Sequence, residues 1–195
     1  VAQELFDVLD AQAAKRPFVS PAHEVDDVIY HNANHFPGLE RAAEDLRARL
    51  DARAATLEAA MLDELHARHG ITVARRPPGA LPPRGHAYDA RRRQLLLSEA
   101  LTSASARFQL ARQLAWLEAG DEIAAIARDA HLTSDAARRR CRAALASYVA
   151  GATLFPYDPF LDAAEAERYD IDVLSQRFAG SFEQIAHRLT TLRRP

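Results

Sequence analysis

The sequence predicts an α+β fold that is predominantly helical, with about eight helices and a small sheet of two or three strands. Apolar residues recur at helical spacing through most of the chain, which is typical of amphipathic helices packed on a shared core. A β-branched run at residues 71–74 and two short runs at 86–88 and 94–98 interrupt this pattern. The last two runs predict a β-hairpin whose second strand is buried.

The N-terminal third, residues 1–69, is predicted to be helical. Ser20 and Pro21 form a start signal, because a hydroxyl N-cap is followed by proline at the first helical position. Pro37 and Gly38 are expected to break the chain between two helices. The helices predicted in this part cover residues 2–14, 21 to about 36, 39–53 and 57–69.

The sheet region, residues 70–98, precedes a helical core at residues 99–195. The helix at 101–118 is so apolar that its neighbours must cover most of its circumference, and we expect the chain to be organised around it. Further helices are predicted at 121–130, from Thr133 or Ser134 onward as one long helix, and at 158–167, 170–178 and 181–192. The 195 residues are enough for one domain.

The composition argues against several classes of protein. Lys and Arg number 25 against 27 Asp and Glu, so the chain lacks the basic excess of a dedicated nucleic-acid binder. A single cysteine, Cys141, excludes an internal disulfide framework and cannot alone hold a structural zinc or an iron–sulfur cluster. Without an apolar run of about 20 residues, no membrane span is predicted. We expect a cytoplasmic chain.

Arg112 and Trp116 on the central helix have the spacing at which zinc peptidases place the two histidines of H-E-x-x-H. Residues 108–116 resemble F-x-x-A-H-E-L-G-H of the ImmA/IrrE-type metallopeptidase-like domain, with every catalytic letter changed. Residues 143–156 resemble that family's E-x-E-A-N-x-F-A-A-x-L-L-M-P, without a glutamate. Catalytic zinc needs three protein ligands. The resemblance therefore implies a zincin-like core that lacks H-E-x-x-H, with no catalytic residue and no metal.

A second resemblance covers nearly the whole chain and rests on segments in matching order, at residues 21–30, 39–46, 115–118, 168–170 and 186–195. With these segments the sequence is similar to the sensor domain of short-chain fatty-acyl transcriptional regulators, which control propionate, methylcitrate-cycle and glyoxylate genes. In that family a helix-turn-helix precedes the sensor domain and a cysteine-containing region follows it. Neither part occurs in this sequence, so we expect an excised sensor domain.

This resemblance implies that residues 1–195 form a single domain that binds coenzyme A (CoA) or a short-chain acyl-CoA, such as propionyl- or acetyl-CoA, as an effector. It implies a homodimer that reaches DNA only through the absent helix-turn-helix and that does not contact membranes. Binding would shift the population of helix arrangements rather than start a reaction. Two alternatives are a module that only dimerises a regulator, and a residual hydrolase or thioesterase.

A CoA thioester requires cations for its phosphates, an aromatic or guanidinium surface for its adenine, and apolar walls for its acyl arm. The residues expected to provide these contacts are Arg112 and Trp116 at the former metal positions, Tyr148 on the long helix, and Tyr30, His31, Asn34 and His35 at the end of the second helix.

Each of these residues also has a purely structural interpretation. Trp116 on a buried helix is usually part of a core, and Arg112 could form a buried ion pair with Glu118 or Asp45. The histidines and asparagine near residue 35 could cap a helix, or His31 and His35 could bind zinc. The arginine runs at 75–76, 91–93 and 138–140 are typical of solvated surfaces, although one near Arg84 could reach phosphates. Cys141 is expected in the core.

Overall fold

The computed structural model describes residues 20–54 and 56–194. Nine helices and three strands follow one another in these residues, which confirms the predominantly helical α+β prediction. They are α1 (Pro21–His31), α2 (Pro37–Asp51), α3 (Leu57–Ala67), β1 (Thr72–Arg76), β2 (His86–Asp89), β3 (Gln94–Ser98), α4 (Ser103–Glu118), α5 (Gly120–Asp129), α6 (Asp135–Leu154), α7 (Tyr157–Ala166), α8 (Ile171–Phe178) and α9 (Phe182–Leu189). The helix predicted at 2–14 lies outside the described residues.

The three strands form a mixed sheet in the order β1-β3-β2. β2 and β3 pair antiparallel, as the hairpin prediction requires, with His86 opposite Leu97. β1 pairs parallel to β3, with Val73 opposite Leu95. Leu95 and Leu97 are almost fully buried, because β3 is the central strand and its apolar side faces the helices.

The helix α4 lies at the centre of the molecule, as predicted. It packs against α6, α3, α5, α2 and β3, and Leu110, Ala111, Leu114 and Ala115 have almost no exposed surface. The covering is incomplete, however, because Leu117 at the C-terminal end is 37% exposed. The C-terminal end of this helix is therefore partly open to solvent.

Side-chain caps define where several helices begin. The Oγ atom of Ser20 accepts a hydrogen bond from the His23 amide at 3.3 Å, which confirms the predicted start of α1. Ser134, one of the two predicted caps of the long helix, caps α6. The other, Thr133, is engaged elsewhere, since its amide and hydroxyl both donate to the carboxylate of the buried residue Glu24 at 2.6 and 2.8 Å.

The end of α1 differs from the prediction. The helix stops at His31 rather than near residue 36, because Ala33 and Asn34 adopt left-handed conformations with φ of 51° and 52°. Pro37 then opens α2 instead of separating two helices, since proline lacks only an amide that a first helical residue leaves unpaired.

Candidate ligand-binding site

Two cavities lie one after the other along the same face of α4. Ser105, Phe108 and Gln109 line the first, whereas Gln109, Arg112 and Trp116 line the second. At a rise of 1.5 Å per residue these side chains extend over about 16 Å of helix. Gln109 borders both cavities, so an elongated molecule could occupy them together.

The first cavity, called here the apolar cavity, has a volume of about 520 Å³, which is within the usual range of small-molecule sites. Phe108 from α4 and Leu145, Tyr148 and Gly151 from α6 contribute to its walls. Asn34 and polar residues from the start and end of α9 also contribute to the lining, as do Ile29, Phe36 and Ala144. Such a lining suits an apolar arm with few hydrogen-bonding atoms.

A buried ion pair lies at the edge of the apolar cavity. Arg188 of α9 donates from Nη1 and Nη2 to the two carboxylate oxygens of Glu40 of α2, at 2.6 and 3.0 Å. Its Nε atom donates to the Phe155 carbonyl at 2.9 Å, and both charged side chains are almost fully buried. Two parallel hydrogen bonds of this kind fix orientation as well as position.

Tyr148 joins the same network. Its hydroxyl donates to Oε1 of Glu40 at 2.6 Å and accepts from the Phe36 amide at 3.2 Å. Burial, and secondarily the negative charge of Glu40, raises the pKa of Tyr148 well above its ordinary value. The hydroxyl therefore stays neutral and keeps donating to Glu40.

The second cavity, called here the cationic cavity, has a volume of about 550 Å³ and is lined by Arg84, His86 and Arg112 beside Tyr88 and Trp116. Among residues 20–54 and 56–194, neither the Arg84 nor the Arg112 guanidinium has a hydrogen bond or an ion pair. Two cations are thus held together without a compensating carboxylate.

The electrostatics of the cationic cavity show the same imbalance. Burial lowers the pKa of Arg112, and the neighbouring charge of Arg84 lowers it further. Burial also lowers the pKa of His86, with added repulsion from Arg112 and Arg84, although a hydrogen bond to the Arg84 carbonyl acts in the opposite direction. A negatively charged ligand would relieve this repulsion.

Four of the seven predicted ligand residues line these cavities. Asn34 and Tyr148 border the apolar cavity, and Arg112 and Trp116 border the cationic cavity. The indole of Trp116 also packs against the core, with the guanidinium of Arg142 5.6 Å from its ring centre. The core and ligand interpretations of Trp116 are therefore compatible.

The other three predicted ligand residues lie outside both cavities. Tyr30 is 81% exposed, and the Nδ1 atom of exposed His31 lies 2.6 Å from the Asp27 carbonyl. His35 is buried, with its ring packed edge-on against Tyr157. Among the residues that the structure describes, His31 and His35 do not come together with a carboxylate or cysteine as a zinc site would require.

The ion pair that we considered for Arg112 does not form. Glu118 instead contacts Arg49, with Nη2 2.6 Å from Oε2, and His69, with Nε2 2.7 Å from Oε1. Asp45 is likewise absent from the ion pairs of the described residues. The reason is geometric: α4 turns Arg112 toward the sheet and Glu118 toward α2 and α3.

Glu64, His69 and Glu118 form one cluster whose potential ligand atoms lie within 4.8 Å of one another. Glu64 is completely buried, and Arg53 Nε lies 2.8 Å from its Oε2 atom. Arg49 and Arg68 also lie within 4.0 Å of these carboxylates. Three guanidinium groups thus balance two carboxylates, so this trio does not fit a divalent cation.

Several residues of the site were not identified from the sequence. His86 and Gln109 line the cationic cavity, and Arg188 lines the apolar cavity. The Arg-Gly-His string at 84–86 was the available signal for His86. Cys141 is buried in the core as expected, and burial raises the pKa of its thiol, which disfavours the thiolate form.

The fold and the site together define a metallopeptidase-type domain in which Arg112, Gln113 and Trp116 stand where a zinc peptidase would carry H-E-x-x-H. Residues 66–190 match the family model of the IrrE N-terminal-like domain, Peptidase_M78. The chain belongs to this family, as its motif resemblance predicted.

The relatives of the chain are transcriptional regulators. The chain is 38% identical over 175 residues to the HTH-type transcriptional regulator RamB of Mycobacterium tuberculosis, and 37% identical over 185 residues to the propionyl-CoA carboxylase regulator of Cereibacter sphaeroides. It is 36% identical over 176 residues to the HTH-type transcriptional regulator PrpR of M. tuberculosis. These alignments cover 90%, 94% and 90% of this chain but only 37%, 38% and 36% of the relatives.

A solved structure of a Mycobacterium tuberculosis transcriptional regulator has the same fold. It superposes with a TM-score of 0.82 at 36% sequence identity, over 90% of this chain and 54% of that chain. The resemblance to transcriptional regulators with an IrrE-like domain is therefore confirmed. None of the described helices is long and apolar enough to cross a membrane.

Proposed function

We propose that this domain senses CoA thioesters for a bacterial transcriptional regulator and has no catalytic activity of its own. The observation that carries the proposal is the pair of guanidiniums Arg84 and Arg112 beside the Trp116 ring in the cationic cavity, which no carboxylate of the described residues pairs with. Arginine guanidiniums bind phosphates through charge-assisted hydrogen bonds, and an adenine ring stacks on an aromatic or guanidinium surface.

The adjoining apolar cavity suits the other end of the same molecule. Phe108, Leu145 and Gly151 are apolar or small residues of its wall. Gln109 lines both this cavity and the cationic one. In the proposed complex the phosphates lie at Arg84 and Arg112, and the acyl arm extends along α4 toward Tyr148. Propionyl- and acetyl-CoA are the proposed effectors.

The residues at the former metal positions support binding rather than hydrolysis. Arg112 carries a positive charge that repels a metal cation, and Gln113 lacks the carboxylate that would act as a general base in H-E-x-x-H. The proposed output is a population shift, in which ligand favours one helix arrangement and so changes the geometry of DNA-binding and dimerisation parts elsewhere in the regulator.

Calorimetric titration tests this function. We expect the domain to bind propionyl-CoA and CoA but not propionate, and to return the thioester without releasing a free thiol. Arg112→Met should weaken binding of both CoA compounds about tenfold or more, because a charge-assisted hydrogen bond is worth about 1.5–3 kcal/mol.

Arg128→Met is the matched control, since the Arg128 side chain on α5 is 74% exposed and lies outside both cavities. Absence of binding to propionyl-CoA and to CoA would overturn the proposal and favour a module that only dimerises a regulator. Release of thiol on incubation would instead favour a thioesterase.

A further inference from the structure

Gly151 is a glycine in the body of the 20-residue helix α6, where its presence is unexpected. Glycine destabilises a helix relative to alanine, because the unfolded chain loses more backbone freedom. A glycine at such a position therefore indicates a local requirement for a small residue.

The backbone does not explain this requirement. Gly151 has ordinary helical geometry and is not among the glycines with positive φ, which are Gly70, Gly79 and Gly85. Its carbonyl accepts the usual hydrogen bond from the Phe155 amide at 2.9 Å. Any L-residue could adopt this conformation.

Close packing does not explain it either. A Cβ atom built on Gly151 would meet no other heavy atom within 4 Å outside the helix's own neighbouring backbone. Gly180 provides a contrast, since a Cβ there would lie 2.8 Å from the Phe155 ring. Gly151 instead lines the apolar cavity, together with Phe108 and Tyr148.

We infer that Gly151 sets the length of the acyl chain that the apolar cavity admits. A side chain at this position would project into the cavity and occupy the space that the end of the acyl arm needs. This inference rests on the proposed binding of CoA thioesters and adds the residue that determines their chain length.

The test compares Gly151→Ala and Gly151→Val with the wild-type domain in titrations with CoA and with acetyl-, propionyl-, butyryl- and hexanoyl-CoA. One methylene in a fitted pocket changes affinity by about 10-fold to 200-fold. For each protein we divide the affinity for the longest thioester that binds by the affinity for acetyl-CoA. This ratio should fall about tenfold or more in the variants. The affinity for free CoA should remain unchanged.

Gly120→Ala is the matched control. A Cβ atom built on Gly120 also meets no other heavy atom within 4 Å, but this glycine lies on α5 and lines neither cavity. It should leave every affinity ratio unchanged. The melting temperature of ligand-free Gly151→Ala should equal or exceed that of the wild type, so that lost affinity cannot be ascribed to misfolding.

Three outcomes contradict the inference in distinguishable ways. If the wild type binds acyl-CoA and both Gly151 variants keep its affinity ratios, Gly151 does not face the acyl chain. A uniform loss of affinity that includes free CoA would mean that Gly151 contacts the CoA moiety instead. If the wild type binds neither CoA nor any thioester, the proposed function fails and the inference fails with it.

Discussion

The Nη1 atom of Arg188 lies 2.6 Å from the Oε1 atom of Glu40, and the two side chains retain 1% and 4% of their accessible surface. This pair joins α2 to α9 across 148 residues of sequence, beside the cavity that Tyr148 and Arg188 line. It therefore links the second described helix, the last helix and the proposed acyl site.

Breaking this pair is expected to destabilise the protein strongly. Arg188→Met leaves the Glu40 carboxylate buried and without its main partner, which typically costs about 3–5 kcal/mol. Urea unfolding followed by circular dichroism measures the loss. Arg194→Met removes the exposed ion pairs with Glu44 and Asp158 and should cost only about 1 kcal/mol or less. Equal losses in the two variants would contradict the role assigned to the buried pair.

Binding of a phosphate-bearing ligand is expected to strengthen as pH falls. The pKa of His86 is lowered in the free protein by burial and by Arg112 and Arg84, so the ring is mainly neutral at pH 7. A bound phosphate favours the imidazolium and raises this pKa, so binding takes up a proton in the range between the two values. Titrations at pH 6, 7 and 8 should show tighter binding at pH 6.

His86→Gln separates this effect from ionisation of the ligand's own phosphate, whose second pKa is near 6. The affinity of the variant should depend less on pH than that of the wild type. Identical pH profiles would show that His86 does not cause the pH dependence of binding.

The stability of the free protein provides a further check on His86. Because the pKa of His86 is lower in the folded state, its contribution to stability is complete above about pH 6.5 and decreases as pH falls through the folded-state value.

Zinc is expected to leave the stability of the domain unchanged. Glu64 and Glu118 already contact Arg49, Arg53 and Arg68, so a divalent cation would have to displace guanidiniums from a cluster that is not negatively charged. Differential scanning fluorimetry with added zinc, and separately with a chelator, should give the same melting temperature. A rise with zinc that Glu64→Gln abolishes would show that the trio binds metal.

The main elements of this fold could be predicted because their determinants are local. Ser20 before Pro21 and the two short runs at 86–88 and 94–98 act within a few residues, and both the α1 start and the hairpin follow them. The parallel pairing of β1 with β3 is different, because it depends on how residues 77–85 cross between strands. The left-handed turn at Ala33 and Asn34 was missed because alanine rarely adopts this conformation, although asparagine does so more readily.

The site was predictable only in part: Asn34 and Tyr148 line the apolar cavity as expected, but the clearest signal lay along α4. Helical spacing identified Arg112 and Trp116 as residues of one face, and both line the cationic cavity. The same reasoning cannot find side chains that the tertiary fold brings from other elements, such as His86 from β2 or Arg188 from α9. Gly151 was visible in the sequence, but its significance required the cavity in front of it.

Within residues 20–54 and 56–194 no further strand pairs with either edge of the small sheet. The sequence of the two edge strands limits what can attach to them. An edge strand offers unpaired amides and carbonyls on which another chain can form intermolecular β-structure. β2 has only four residues, and β1 ends at Arg75 and Arg76, followed by Pro77 and Pro78, which have no amide hydrogen to donate. Charge, brevity and proline therefore disfavour growth of the sheet between molecules, which should keep the domain free of amyloid-like association at the concentrations that calorimetry needs.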